Sequence, residues 1–527
     1  MPEIICPYCF GKMMDDEVLF RSERLSRQDE EAQIIPEEYD DIEDFKSRYR
    51  AADRENIIQK YDEWLRFLPK EDPVYQQWWS QFGGTTEVSL TQASDGSSGI
   101  PNYFRPIIDP STDSRFLQPQ EDGTNIIRDG NGMAAEIRLK TGEACTRRVC
   151  KHCHNPLPTG YGQHPVKFVS VIGITASGKT VYLSQLLRKM RSYTQKVGFD
   201  ATLTTDSVQV FFETNKVAVD CPLPGATPAR SLQQPLFFDM TSSIQGTDRK
   251  RVETFVMYDV AGELFDIHRT SQDDLDRFAP FVRNADGIIL LIDPMQFRKI
   301  QDISSDGKAR SEATTVLDQI HFITSAGNSE VKCDTPLAVC ISKIDTFNAQ
   351  MALPDSLKQH LQEDVKNLYK TDKSQLFDAK GYNAIADELN PFMQDEELDA
   401  TLDIHYSNYA YFAFTSLGCD VERKADENGV EQDVPVGPIL PKRIEEPLLW
   451  LFHTLGYIDC NARVHYPNEI IFPCPRENCR SEFTEPLEEI KEVERGRTGF
   501  LNLKKIKEPV NYHCMRCGYY WWNDEAK

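Results

Sequence analysis

The sequence predicts an α/β fold: a mainly parallel sheet with helices on both faces, with cysteine-bearing modules at both ends. Three observations predict it. From Lys167 to about Tyr457, apolar runs of strand length alternate with helix-like stretches. Continuous apolar runs between helices read as strands covered on both sides. A glycine-rich turn closes the first of these runs and opens a helical stretch. Short cysteine pairs stand before and after the region, two on each side.

The elements follow in chain order. Residues 1–15 carry Cys6-Pro-Tyr-Cys9, and 145–166 carry Cys150-Lys-His-Cys153 and a Pro/Gly linker; together they predict a split N-terminal zinc ribbon. Residues 16–144 are an insertion of unassigned fold, acidic at first, then Trp-rich at Trp64, Trp78 and Trp79. The 167–457 domain begins with KFVSVIGI and the helical VYLSQLLRKM. PLFFDM and VETFVMYDV are neighbouring strands, and DGIILLIDP, PLAVCISKID and YAYFAFTSL are the later ones. Residues 346–408 are long enough for a helical insertion. RIEEPLLWLFHTL has helical apolar spacing and reads as the closing helix. Residues 458–527 return to paired cysteines as a C-terminal ribbon.

Composition excludes several classes. The net charge of −24 opposes a broad nucleic-acid face or docking on anionic membranes. No run approaches the ~20 apolar residues of a membrane span. The start, MPEIICPYCF, lacks a signal-peptide layout, so the 14 cysteines are read in a reducing, cytoplasmic compartment, where pairs mean metal more often than disulfide.

The chemistry centres on Gly173-Ile-Thr-Ala-Ser-Gly178-Lys179-Thr180, a P-loop pattern. Its glycines let successive N–H groups, including those of Ala176 and Ser177, turn toward phosphate oxygens at a helix N-terminus that runs on through Val181. Lys179 is expected to reach the β and γ phosphates, and Thr180 to hold Mg²⁺. Asp259-Val-Ala-Gly262 ends a strand; Asp259 can bind the metal through water, and the Gly262 N–H can sense the γ phosphate. Ser342-Lys343-Ile-Asp345 ends another. The Asp345 carboxylate can accept both N1–H and N2–H of guanine, whereas adenine presents an acceptor at N1. Lys343 is expected to pack along the base and brace the P-loop. Backbone N–H groups at Ser416 and Leu417 can contact the guanine O6.

These residues resemble the Ras-like GTPase signature in GITASGKT, DVAG, SKID and TSL. The resemblance implies a Ras-like fold, Mg²⁺-GTP or GDP binding and nucleotide-dependent switches. Two departures stand out: Ser342 replaces the usual Asn, and Glu263 follows Gly262 where Gln orients the attacking water. A carboxylate there can act as a base or repel the γ phosphate. Thr227 is the candidate switch threonine on Mg²⁺, and the nearby Arg230 is a weaker candidate for an arginine finger in cis. The reaction expected is in-line attack of water on the γ phosphate. Within this class the chain is similar to the bacterial double-GTPase family of biological-conflict systems, whose P-loop helix, DVAGE-type switch and flanking zinc ribbons it shares. That likeness implies a second GTPase as protein partner. An ATPase of the same fold and a nucleotide-binding scaffold without efficient turnover are the rival readings.

Each cysteine knuckle can present two thiolates to a tetrahedral Zn²⁺. Cys474, Cys479, Cys514 and Cys517 are expected to form one structural site. Cys6, Cys9, Cys150 and Cys153 are expected to form another across a long insertion, with His152, His154 and Cys145 as substitute ligands. Cys221, Cys333, Cys340, Cys419 and Cys460, with Cys145, read as packing residues. Tyr512, Tyr519, Tyr520, Trp521 and Trp522 read first as a minimal core around zinc, and second as a stacking surface.

Overall fold

The computed structural model describes residues 3–22, 44, 47, 55, 58–59, 71–80, 105–140, 142–174, 177–203, 206–225, 235–243, 250–261, 265, 272–297, 312–346, 352–362, 376–395, 398–425, 429–460, 464, 472–481, 484–497 and 504–523. They fall into two compact units: 1–172, 200–217 and 223–286 form one, and 173–199, 218–222 and 287–527 form the other.

In the first unit, strands Phe199–Leu203, Leu236–Ser243, Lys250–Ala261 and Val166–Gly173 lie side by side in that order. Leu236–Ser243 and Lys250–Ala261 form an antiparallel hairpin, with Phe238 opposite Phe255 and their rings stacked at 5.3 Å. The short Phe199–Leu203 strand was not expected from the sequence; its last two residues are exposed, so it lacks a continuous apolar run. The described residues of 16–144 hold short strands and a helix. Leu19–Arg21 pairs with Ile107–Ile108 and with Arg147–Val149, and Ile126–Arg128, Ala134–Arg138 and Ala144–Cys145 make a second small antiparallel sheet. Helix Pro73–Ser80 buries Tyr75 and Trp78.

The N-terminal knuckle packs onto strands of this unit. Phe10, held at φ 55°, sets its ring 5.3 Å from Phe168, 5.8 Å from Tyr258 and 5.3 Å from Phe281. The Tyr258 hydroxyl donates to the Pro7 carbonyl, and the Tyr161 hydroxyl to that of Ile5. Tyr8 meets Trp78 edge to face at 5.7 Å. Such aromatic contacts add about 0.5–1.5 kcal/mol beyond the area they bury.

In the second unit, strands Gly287–Ile292, Leu337–Ile341 and Tyr409–Ala413 run parallel in one register, and every residue of the three is buried. That double-sided burial is what their unbroken apolar runs predict. The helix Lys179–Lys196 opens at Gly178 and stacks Tyr182 on Phe414 at 4.7 Å. The stretch 346–408 holds helices Asp355–Gln362, Ala379–Asp395 and Leu398–His405. Its short strand Leu376–Phe377 pairs in parallel with Asp459–Cys460. The closing helix is Glu446–Thr454. A long antiparallel ribbon, Thr484–Arg497 against Lys504–Cys514, completes the unit. Among the described residues, no helix is long and apolar enough to cross a membrane.

Candidate functional site

The P-loop turn is built for glycine. A Cβ placed on Gly173 would stand 2.3 Å from the Ser177 hydroxyl and 2.9 Å from the Lys179 Cβ, so any side chain there closes the turn's interior. Gly178, at φ 75°, is the helix N-cap and has no side chain to cap the first N–H groups. The Ile174 N–H donates to the Leu291 carbonyl at 3.0 Å, and the Ser177 N–H to the Ile174 carbonyl at 2.9 Å. Lys179 and Thr180 follow in the first helical turn with little exposure. A glycine-lined turn running into an uncapped 18-residue helix fits an anion.

The strand ends of the same unit meet this turn. Lys343 has a left-handed φ of 50°, and its Cε lies 3.3 Å from where a Gly178 Cβ would be. Its Nζ is 3.0 Å from the Asp293 carboxylate. The Ser342 hydroxyl and N–H both donate to the Ile292 carbonyl. The Ile344 N–H donates to the Phe414 carbonyl, which joins 342–345 to the segment holding Ser416 and Leu417. Asp345 is close enough to Cys419 that its charge, after burial, pushes that thiol up from its ordinary value. Thr415 and Lys442 exchange backbone hydrogen bonds, the Leu440 N–H donates to the Leu417 carbonyl, and the Gly418 N–H donates to the Thr415 hydroxyl. A strap at 440–442 therefore holds the segment after the last strand.

The structure thus gathers Gly173, Ser177, Gly178, Lys179, Thr180, Val181, Ser342, Lys343, Asp345, Ser416 and Leu417 in one unit. Asp259 belongs to the other unit, buried near the end of strand Lys250–Ala261. Ala176, Thr227, Arg230, Gly262 and Glu263 lie outside the described residues. Asp293 and the 440–442 strap were not singled out from the sequence. The only signal for Asp293 was a carboxylate closing the apolar run DGIILLID.

Two four-cysteine clusters stand among the described residues, Cys6/Cys9/Cys150/Cys153 and Cys474/Cys479/Cys514/Cys517, each with its sulfurs within 4.8 Å of one another. Cys6–Cys153 and Cys9–Cys150 are each 3.7 Å apart; Cys474–Cys517 is 3.7 Å and Cys479–Cys514 3.8 Å. Each knuckle turns through one left-handed residue directly after its second cysteine: Phe10, His154, Arg480 and Gly518. In the first cluster the Tyr8, Gly11 and His152 N–H groups and the Asn155 amide point at the four sulfurs. Burial pushes the Cys6 and Cys153 thiols up, so thiolates there need a compensating cation. An all-thiol, tetrahedral-sized donor set with N–H support is compatible with zinc. The proposed substitutes stand aside: His152 meets the Lys12 carbonyl, and His154 meets Asp72. Cys145, Cys333 and Cys340 are buried; Cys221, Cys419 and Cys460 are partly exposed. Around the second cluster, Tyr512 and Trp521 form a small core with Cys474 and Cys514, while Trp522 is 45 % exposed.

Residues 167–388 match the family model Double-GTPase 2. A Mycolicibacterium smegmatis protein, SaeC, named for a proposed role as an ESX-1 scaffolding and assembly protein, is 26 % identical over 221 residues, 38 % of this chain and 52 % of that one. The chain thus spans about half the length of the curated relative it matches. Among solved structures, the S. cerevisiae Ski7 GTPase-like domain bound to GDP and inorganic phosphate aligns at 13 % identity and TM-score 0.24, over 56 % of this chain and 52 % of that one. Sup35 complexed with GDP aligns at 11 % identity and TM-score 0.21, over 67 % and 61 %. The P-loop, its strand ends and the family match together make residues 167–388 a P-loop GTPase domain of the double-GTPase type.

Proposed function

We propose that this chain is a Mg²⁺-dependent, GTP-binding and GTP-hydrolysing switch whose two ends are built around structural zinc. The observation that carries the reading is the approach of Lys343 to Gly178, which brings the ring-testing segment against the phosphate turn. Gly173 to Lys179 would cradle the phosphates, and Asp345 would accept the guanine N1–H and N2–H. Ser416 and Leu417 would offer backbone N–H to the guanine O6. Thr180, Asp259 and Thr227 would hold Mg²⁺, which would neutralise developing phosphate charge. Glu263 is the candidate for orienting or deprotonating the attacking water, and the Gly262 N–H for sensing the γ phosphate. The two cysteine clusters would hold one zinc each, with no open position for catalysis.

In this reading the zinc ribbon is split between 1–15 and 145–166, with 16–144 inserted into it. The nucleotide domain spans 167–457 with a helical insertion at 346–408, and 458–527 form the second ribbon. The partner is a protein, with a second GTPase the first candidate, in the cytoplasm of a bacterium, and a conflict or defence role is the broadest context. A second reading has a specific observation behind it. Glu263 replaces a neutral amide, and the SaeC match is to a protein named for scaffolding; in this reading nucleotide is bound without efficient turnover.

Single-turnover hydrolysis separates the two. The switch predicts Mg²⁺-dependent release of phosphate from GTP, abolished in Lys179→Ala. No release from GTP, with or without a second GTPase, favours the scaffold. Metal analysis is expected to return two zinc ions per chain, falling to one in Cys514→Ser.

A further inference from the structure

The Ser342 hydroxyl donates to the Ile292 carbonyl, while the side chain that approaches Gly178 is that of Lys343. Hydrogen bonds from Ser342 to the Ile292 carbonyl, by hydroxyl and by N–H, and from Lys343 Nζ to Asp293 tie 342–343 to the end of strand Gly287–Ile292. The last of these involves the side chain that lies across Gly178. Asp293 is itself fixed. One carboxylate oxygen accepts from the Met295 N–H at 2.8 Å, capping the short turn Pro294–Gln296, and the other takes Lys343 at 3.0 Å. The carboxylate is 7 % exposed, while Lys343 is 40 % exposed. A buried, capped anion therefore sets the end of a longer, more exposed cation. The Lys343 backbone is left-handed at φ 50°, a conformation a non-glycine residue keeps only when its surroundings over-determine it.

We infer that Asp293 is a positioning residue of the nucleotide site: it holds Lys343 over Gly178 and thereby sets the two loops, and Asp345 with them, for a guanine nucleotide. The inference rests on the proposed GTP-binding reading. Asp293 touches no nucleotide in this account; it acts through Lys343. Both di- and triphosphate should feel its loss equally, because the brace lies at the ring side of the P-loop and not at the γ phosphate. A partly exposed pair is screened, so the effect is modest.

The test measures GDP, GTP and ATP affinity for full-length, zinc-replete wild type, Asp293→Asn, Lys343→Ala and the double variant, with melting temperature alongside. Asp293→Asn keeps an oxygen for the Met295 N–H and removes the charge. It is expected to weaken GDP and GTP alike by about five- to tenfold, consistent with loss of one charge-assisted contact. In the Lys343→Ala background the same change should cost no further affinity, since contacting residues couple. Asp293→Glu should recover part of the loss. Unchanged affinity in Asp293→Asn, or losses that add fully in the double variant, overturns the inference. If wild type itself shows no preference for GTP over ATP, the GTP-binding reading fails instead, and the two failures are told apart by that one control.

Discussion

At the residue scale the site depends on a few atoms that have no room to move. Gly418 is the sharpest case. Its φ is 63°, and a Cβ there would sit 2.1 Å from the Leu440 carbonyl oxygen, a backbone atom that cannot swing aside. Gly418→Ala is expected to displace the 415–418 segment from its strap, costing about 1–3 kcal/mol and weakening GTP by tenfold or more. Equilibrium unfolding and nucleotide titration check both halves; wild-type values for the two would refute the strap. A second residue gives a pH signature. Burial pushes the Glu446 carboxyl up to about 7 against the opposing pull of Arg443, whose guanidinium grips it with two hydrogen bonds. A folded value raised above the unfolded 4.5 contributes stability below that pH and loses it as pH rises through about 7. Glu446→Gln stays neutral throughout. The wild type should therefore lose up to about 3 kcal/mol relative to Glu446→Gln between those pH values. A constant difference across the window contradicts this.

At the element scale, the N-terminal knuckle does more than complete a four-cysteine cluster. Its Phe10 ring fills a pocket among Phe168, Tyr258 and Phe281, and Tyr258 immediately precedes Asp259. The left-handed turn that aims Phe10 directly follows Cys9, so it is expected to depend on the cluster being held. Chelation, or Cys9→Ser, is therefore expected to lower amide protection along strand Lys250–Ala261. Cys479→Ser should leave that strand unchanged, because the second cluster belongs to the other unit. Hydrogen exchange reads this directly, and equal protection after complete loss of the first metal would contradict it. Tyr258→Phe, which removes only the hydrogen bond to Pro7, should cost about 1 kcal/mol.

At the scale of the whole molecule, much of the fold was legible because the strands are buried on both faces, and such strands announce themselves as unbroken apolar runs. VKFVSVIG, GIILLI, LAVCI and YAYFA all stand where their hydrophobicity puts them. FDATL was missed because half of it faces solvent. The phosphate turn was legible because its chemistry needs glycine, lysine and a hydroxyl at fixed spacing along a few residues. Asp293 and Leu440 were not. Each lies far along the chain from the residue it supports, Lys343 and Gly418, and nothing local to either distinguishes it from an ordinary strand end or loop. Pairing Cys6/Cys9 with Cys150/Cys153 was legible across a long insertion because knuckles carry their own signature. The contact of that knuckle with Tyr258 was not, since no spacing rule links Pro7 to residue 258.

The central claim is that one unit grips a triphosphate at the P-loop and tests the ring at Asp345. Competition binding of GTP and ATP to the zinc-replete chain tests it most directly, with Asp345→Asn as partner. The account predicts a clear preference for GTP in the wild type, moved toward xanthosine triphosphate by the substitution. Equal affinity for GTP and ATP in the wild type would contradict it.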